Sequence, residues 1–76
     1  KQIEDIRYLE RTVGLRHLPA QLWEMASVRL EHPEASLKEL GELMSEPVGK
    51  SGVNHRLRKL SEIAEKEKEK RGEKEN

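Results

Sequence analysis

Cysteine and phenylalanine are absent from the 76-residue sequence, and one tryptophan and one tyrosine are its only aromatic residues. Without cysteine the chain cannot form disulfide bonds, thiolate metal sites or thiol nucleophiles, and this absence is typical of a reducing cytosol. No apolar run approaches the length of a membrane span, and no signal peptide is recognisable. We therefore expect a cytoplasmic protein of one domain at most, with a small core of aliphatic side chains.

A net charge of either sign is also lacking, because 15 Lys and Arg residues balance 15 Asp and Glu residues. The balance is not uniform along the chain. Residues 50–59 contain four basic residues and no acidic one, namely Lys50, Arg56, Arg58 and Lys59. Because phosphate binding depends on the local charge, this segment is a candidate for contact with nucleic acid.

Apolar residues recur at helical spacing, and no stretch alternates with the period of two that strands require. The sequence therefore predicts an all-α fold of four helices. The first helix is predicted over Gln2–Val13, ending at Gly14 in the left-handed conformation. The second begins at Pro19, which suits a first helical turn, and ends before Pro33.

The third helix begins with a capping box, in which Ser36 caps the helix and Glu39 reaches back. Gly41 lies inside this helix at a cost of about 1 kcal/mol relative to Ala, so we expect another helix to pack closely there. The predicted buried stripe of the helix consists of Leu37, Leu40 and Met44.

A turn over residues 45–50 follows, with Val48 expected to point inward, and Ser51 is predicted to cap the fourth helix. From Glu65 onward the sequence is charged and lacks apolar residues, as in a solvated helix or a disordered tail. Of these we favour a helix that frays near Arg71. The predicted buried stripe of the fourth helix is Val53, Leu57, Leu60 and Ala64, widened by Ile63.

The third and fourth helices with their turn form a predicted helix-turn-helix unit, braced by the second helix. The second helix of such a unit lies in the major groove of DNA, so the recognition helix is predicted over residues 51–66. A basic outer face is also common on helices that are merely solvated, but the capping box, the short turn and the acid-free segment together favour DNA binding. Expected contacts to base edges are Ser51, Asn54, His55 and Arg58, and expected contacts to phosphates are Lys50, Arg56 and Lys59.

Other residue patterns give little support to catalysis or cofactor binding. The three histidines lack the spacing and the companions of a zinc site. Gly49 begins a Gly-Lys-Ser triplet like the end of a phosphate-binding loop, but Met44 stands where that loop needs glycine. We expect no enzyme activity, no metal and no cofactor. Trp23 is interpreted as a core residue, with a partner-binding anchor as the alternative.

Three segments of the sequence resemble the C-terminal domain of the WhiA family of bacterial transcriptional regulators, which are tied to sporulation and cell division. They are residues 18–26 (LPAQLWEMA), 33–43 (PEASLKELGEL) and, most specifically, 50–60 (KSGVNHRLRKL). The resemblance covers roughly residues 5–66. It implies a helix-turn-helix similar to the sigma-factor domain that reads promoter −35 elements, with residues 50–59 as the DNA-reading segment.

The resemblance also implies a longer protein, as does a first residue that is Lys rather than Met. The family's N-terminal part resembles a LAGLIDADG homing endonuclease without nuclease activity. We expect a lead-in helix over residues 1–16, a DNA-binding domain over 18–66, a charged tail over 67–76, and a location at the bacterial nucleoid. The expected partner is promoter DNA, without a membrane or a small-molecule substrate.

The alternative function is a protein-interaction module that docks on a partner regulator or on the N-terminal domain. The near-zero net charge favours this alternative, because isolated DNA-binding domains are usually basic. The first helix would then be the interface, through Ile3, Ile6, Leu9 and Val13.

Overall fold

The computed structural model describes residues 2–72, and this part of the chain contains helices and no strand. The predicted all-α fold is therefore confirmed. A short 3-10 helix, Leu15–His17, was not anticipated by the sequence analysis. The four α-helices are α1 (Gln2–Thr12), α2 (Ala20–Glu31), α3 (Leu37–Glu42) and α4 (Lys50–Lys70). Among the described residues, no helix is both long and apolar enough to cross a membrane.

Helix α4 lies at the centre of the fold, because α1, α2 and α3 all pack against it. The predicted stripe on α4 is confirmed, with each of its four members at most 1% exposed. Side chains from the rest of the chain complete one core, which is aliphatic as expected except for Tyr8, and to which Met25 contributes unexpectedly. The buried apolar residues are Ile6, Tyr8, Leu9, Leu18, Met25, Ala26, Leu40, Met44, Val53, Leu57, Leu60 and Ala64.

The capping box at the start of α3 is confirmed. The Ser36 backbone N–H donates to Glu39 Oε1 at 2.8 Å, and the Glu39 backbone N–H donates to Ser36 Oγ at 3.2 Å. The hydrogen bond from the Ser36 backbone N–H, aided by one from the Ser36 side chain, lowers the pKa of Glu39 below its ordinary value of 4.5. The ionised carboxylate therefore fixes the first turn of α3.

The predicted start of the fourth helix at Ser51 is wrong. The N-cap is Gly49, whose carbonyl accepts from the Val53 N–H at 3.0 Å, and no side chain caps this end. The helix begins at Lys50 because the turn closes early, where the Val48 N–H donates to the Gly41 carbonyl. Ser51 consequently lies inside the first turn of α4.

Close packing at Gly41 is confirmed, although its nearest neighbour belongs to the turn rather than to a helix. A Cβ on Gly41 would overlap the carbonyl oxygen of Val48, and it would lie 3.2 Å from Val53 Cγ2 on α4. A Cβ on Gly52 would overlap Val48 Cγ1. Val48 is thus held between two glycines, one on each helix of the unit, and points inward as predicted.

Helix α1 packs along the C-terminal half of α4. Asp5 is 1% exposed, and its Oδ1 lies 3.7 Å from Lys68 Nζ. Near the end of α4, the Arg71 guanidinium donates to the Thr12 carbonyl at 3.4 Å. The helix continues to Lys70, well into the segment expected to be a charged tail. The rest of that tail, residues 73–76, lies outside the described residues, as does Lys1.

Several predictions about individual side chains are wrong. Ile6 and Leu9 belong to the domain's own core, so they are not free to form a partner interface on the first helix. Trp23 is 40% exposed, because α2 turns Met25 and Ala26 toward the core instead. Leu37 is 36% exposed, because it opens a helix whose buried face is formed by later residues.

The end of α1 and the start of α2 each differ from the predicted position by one residue. Helix α1 ends at Thr12 instead of Val13, and α2 begins after Pro19, which is its N-cap. Gly14 has the predicted positive φ, 86°, but its ψ of 126° lies outside the left-handed helical region. Glycine is still suited to this position, since a positive φ is unfavourable for other residues.

Candidate nucleic-acid interface

The geometry of α3, the turn and α4 is fixed by hydrogen bonds from both ends of the turn. The Ser45 backbone N–H donates to Glu24 Oε2 on α2 at 3.0 Å, and the Val48 backbone N–H donates to the Gly41 carbonyl at 3.1 Å. Helix α2 therefore braces the turn directly through Glu24. Sequence reasoning missed this residue, because nothing in its spacing shows that it faces a backbone N–H 21 residues later.

The surface of α4 opposite its buried stripe carries the predicted contact residues. All four side chains expected at base edges are exposed: Ser51, Asn54, His55 and Arg58. Lys50 and Lys59, two of the three expected phosphate contacts, are exposed as well. Helical geometry thus brings six of the seven predicted residues onto the solvent side of the first three turns of α4.

These side chains are not used to hold the fold together. Within residues 2–72, the structure shows no ion pair and no side-chain hydrogen bond for Arg58, Lys59 or Asn54. The start of α4 also lacks a side-chain cap, which leaves backbone N–H groups of its first turn without a capping side chain. Such a helix end attracts anions through its dipole, and Lys50 adds a full positive charge there.

Arg56 differs from the other predicted phosphate contacts. It is half-buried and lines a cavity of about 360 Å³ between α2, the turn and α4. The cavity wall also contains Trp23, Glu24 and Glu46. Arg56 therefore lies on a flank of α4, next to two carboxylates, rather than on the outward surface with Arg58.

The alternative chemistries considered for the sequence find no structural support in the described part of the chain. No group of three or more His, Asp or Glu side chains within residues 2–72 could hold a metal ion. The Gly-Lys-Ser triplet at Gly49 follows helix α3, whereas a phosphate-binding loop follows a strand.

Comparison with known proteins places the chain in a defined group. Residues 1–64 match a family described as the WhiA C-terminal HTH domain. The chain is 58% identical over 71 residues to the "Probable cell division protein WhiA" of Thermoanaerobacter sp. strain X514, covering 93% of this chain and 22% of that protein. It is 67% identical over 64 residues to the protein of the same name from Moorella thermoacetica, covering 84% of this chain and 20% of that protein.

A third relative of that name, from Enterococcus faecalis, is 59% identical over 71 residues, which cover 92% of this chain and 23% of the relative. The chain thus spans about a fifth of the length of the curated relatives that it matches. No solved structure matches the chain.

Proposed function

Because the chain belongs to the WhiA family through its match to the C-terminal helix-turn-helix domain, we propose that it binds duplex DNA sequence-specifically within a bacterial transcriptional regulator. In this proposal the recognition helix, residues 51–66 of α4, enters the major groove, while α3 crosses the DNA backbone and α2 braces both. The binding needs no metal, cofactor or catalytic step.

One observation carries the proposal most directly. The acid-free segment over residues 50–59 forms the first turns of α4, and its polar side chains other than Arg56 face solvent while Val53 and Leu57 are buried. A helix presented in this way offers hydrogen-bond donors and positive charge along one surface. Both are needed in the major groove, where base edges lie between two rows of phosphates.

The side chains of this surface divide into two groups by chemistry. Arg58 can form a bidentate pair with guanine and Asn54 with adenine, whereas Ser51 and His55 can hydrogen-bond to either kind of base edge. Lys50 and Lys59 neutralise phosphates, which fixes the position of the helix without reading sequence. Arg56 reaches a phosphate from the flank of α4 beside α2.

The names of the relatives support a proposal for the biological setting. They are named as cell division proteins, and we propose that the domain directs such a protein to promoter DNA in the cytoplasm, at the nucleoid, in the control of sporulation and cell division. In this proposal the remaining four-fifths of such a protein adds to the DNA affinity of this domain. With about four phosphate contacts, the isolated domain is expected to bind DNA at micromolar or weaker affinity at physiological salt.

Substitution of Arg58 by alanine tests base reading. If Arg58 pairs with a guanine, Arg58→Ala should cost about 1–3 kcal/mol on the best site and relax the preference for guanine at one position. Binding is measured by fluorescence anisotropy on a promoter duplex and on variants of it. Arg7→Ala is the control, because it removes an arginine side chain from the exposed face of α1. It should leave the affinity for every duplex unchanged. Equal weakening on every duplex would contradict base reading by Arg58.

Substitution of Lys59 by alanine tests phosphate contact. The logarithm of the binding constant should fall less steeply with the logarithm of the salt concentration, by about one unit of slope. Lys70→Ala removes an equally positive and exposed side chain about 16 Å farther along α4, and it should leave the slope unchanged. An unchanged slope for Lys59→Ala would argue that this lysine is merely solvated.

A protein-docking role is the second candidate, and the exposure of Trp23 favours it. Its ring lies beside the cavity, with the Arg16 guanidinium 5.8 Å from its centroid. Exposed tryptophans are common at the centres of protein interfaces. If the domain docks on a protein, Trp23→Ala should abolish binding of that partner and leave the affinity for DNA unchanged. Binding of the partner by the wild-type chain should depend little on the salt concentration.

A further inference from the structure

Glu62 is the one acidic residue on the outward surface of α4 next to the proposed DNA-reading segment. Ser51, His55, Arg58 and Glu62 follow the spacing i, i+4, i+7 and i+11, so they lie within about 60° of one another around the helix. Glu62 is exposed. Phosphates repel a carboxylate that lies in line with residues approaching DNA. A hydrogen-bond donor of the DNA would offset this repulsion in the bound state.

The other acidic residues nearby are used within the protein. Glu65 Oε1 lies 3.9 Å from Lys68 Nζ, and Glu67 Oε2 accepts from the Arg71 guanidinium at 2.7 Å. Both of these glutamates are half-buried. In contrast, no ion pair joins Glu62 to any residue within 2–72, including Arg58 one turn earlier. The Glu62 carboxylate is therefore available to an external hydrogen-bond donor.

The reach of α4 allows Glu62 to meet a base. Ser51 and Glu62 are about 16 Å apart along the helix axis, close to the length of five base pairs at about 3.4 Å each. The outward residues from Ser51 to Glu62 can therefore face successive bases along the groove. Among major-groove edges, the amino group of cytosine is the donor that glutamate recognises, through N4.

We propose that Glu62 is a specificity-determining residue, which accepts a hydrogen bond from a cytosine amino group at the edge of the DNA site. This inference rests on the proposed function, because it requires α4 to lie in the major groove. On DNA without that cytosine, the carboxylate faces phosphates without a compensating donor. Glu62 therefore lowers affinity for unrelated sequences while it contributes to affinity for the correct one.

The test is selection of duplexes with a randomised window by the full chain and by two Glu62 variants, followed by sequencing. The wild-type chain should enrich cytosine about fivefold or more at one position. Glu62→Ala should lose the preference at that position alone. Glu62→Gln should replace it by a preference for adenine, because glutamine pairs with the N6 and N7 groups of adenine. Both variants should fold, since the position is exposed and both residues favour helix.

Glu69→Gln is the matched control. Glu69 lies on the same outward surface, two turns beyond Glu62, and is also exposed. Its substitution changes the net charge by the same amount, so it should leave the selected sequence unchanged. The assignment would be overturned if the Glu62 variants selected the same sequence as the wild-type chain. It would also be overturned if their only effect were tighter binding to all DNA, equal to the effect of Glu69→Gln. A wild-type chain that enriches no sequence would overturn the proposed function itself, and base reading by Glu62 with it.

Discussion

Two glycines provide the space that the turn between α3 and α4 needs. Gly41 and Gly52 leave room for Val48, which then anchors the segment between α3 and α4. The two glycines act differently, because Gly41 faces a backbone carbonyl whereas Gly52 faces a side-chain methyl group. A side-chain methyl group can rotate away from an added Cβ, whereas a backbone carbonyl cannot. Position 41 therefore tolerates a larger residue less well than position 52 does.

Replacement of Gly41 by alanine should therefore destabilise the fold although alanine is the better helix former. The gain in helix propensity is about 1 kcal/mol, and the cost of displacing the turn should exceed it, for a net loss of about 1–3 kcal/mol. Thermal denaturation followed by circular dichroism measures the difference. Gly49→Ser is the control, since a Cβ there meets nothing within 4 Å and serine improves the N-cap of α4. A Gly41→Ala variant as stable as the wild type would show that the turn relocates easily.

The individual residues of the candidate site were largely predictable, and the exceptions have a common cause. The exposed positions Ser51, His55 and Arg58 follow from helical spacing within one element. The flank position of Arg56 and the exposure of Trp23 depend on how α2 lies against α4, which spacing along the chain does not encode.

At the scale of helices, each element combines a local signal with a tertiary contact. The capping box of α3 is a purely local signal, and the structure contains it as predicted. The start of α4 was misplaced because serine is a frequent N-cap, whereas the Val48–Gly41 hydrogen bond ends the turn before Ser51. The end of α4 at Lys70 agrees with the favoured prediction of a helix that frays near Arg71, and contacts with α1 stabilise this charged part of the helix.

The capping box should make the free energy of unfolding depend on pH in the acidic range. The folded-state pKa of Glu39 is lowered by its hydrogen bond from Ser36, so the ionised form stabilises the native state above the unfolded-state pKa. That contribution is lost as pH falls through the lowered folded-state pKa. Glu39→Gln keeps a hydrogen-bond acceptor but cannot titrate. Its melting temperature should fall less than that of the wild type between about pH 6 and pH 3. Parallel acid profiles for the two proteins would argue against a role for this carboxylate.

The contact between α1 and α4 should contribute to stability through Lys68. Its Nζ lies near the buried Asp5 carboxylate and 5.3 Å from the centroid of the Tyr8 ring. Lys68→Met should cost about 1–3 kcal/mol, because the buried Asp5 carboxylate then loses its contact with the Lys68 ammonium. Urea denaturation measures this change. Lys66→Met, at an exposed position on the same helix, should cost less than about 0.5 kcal/mol. Equal stabilities of the two variants would mean that Lys68 contributes no more than a solvated lysine.

The whole molecule joins a neutral overall charge to a strongly uneven distribution of charge. Part of the charge outside residues 50–59 is paired within the protein, as in the contacts of Asp5 with Lys68 and of Glu67 with Arg71. In the basic segment, Lys50, Arg58 and Lys59 are exposed, whereas Arg56 is half-buried. Helix α1, expected only to lead into the domain, buries Ile6 and Leu9 in its core. The exposed side chains open to an external partner include the outward surface of α4 and also Trp23, Leu37 and Leu43.

Titration of the 76-residue chain with a promoter duplex, followed by NMR of its backbone amides at low and moderate salt, tests most directly whether the N-terminal half of α4 enters DNA. We expect chemical-shift changes concentrated at residues 50–59, with smaller ones at Glu62, and a weaker effect at higher salt. Shifts that avoid this segment, or that cluster at Trp23 and do not respond to salt, would contradict a DNA-reading role for α4 and favour docking of another protein.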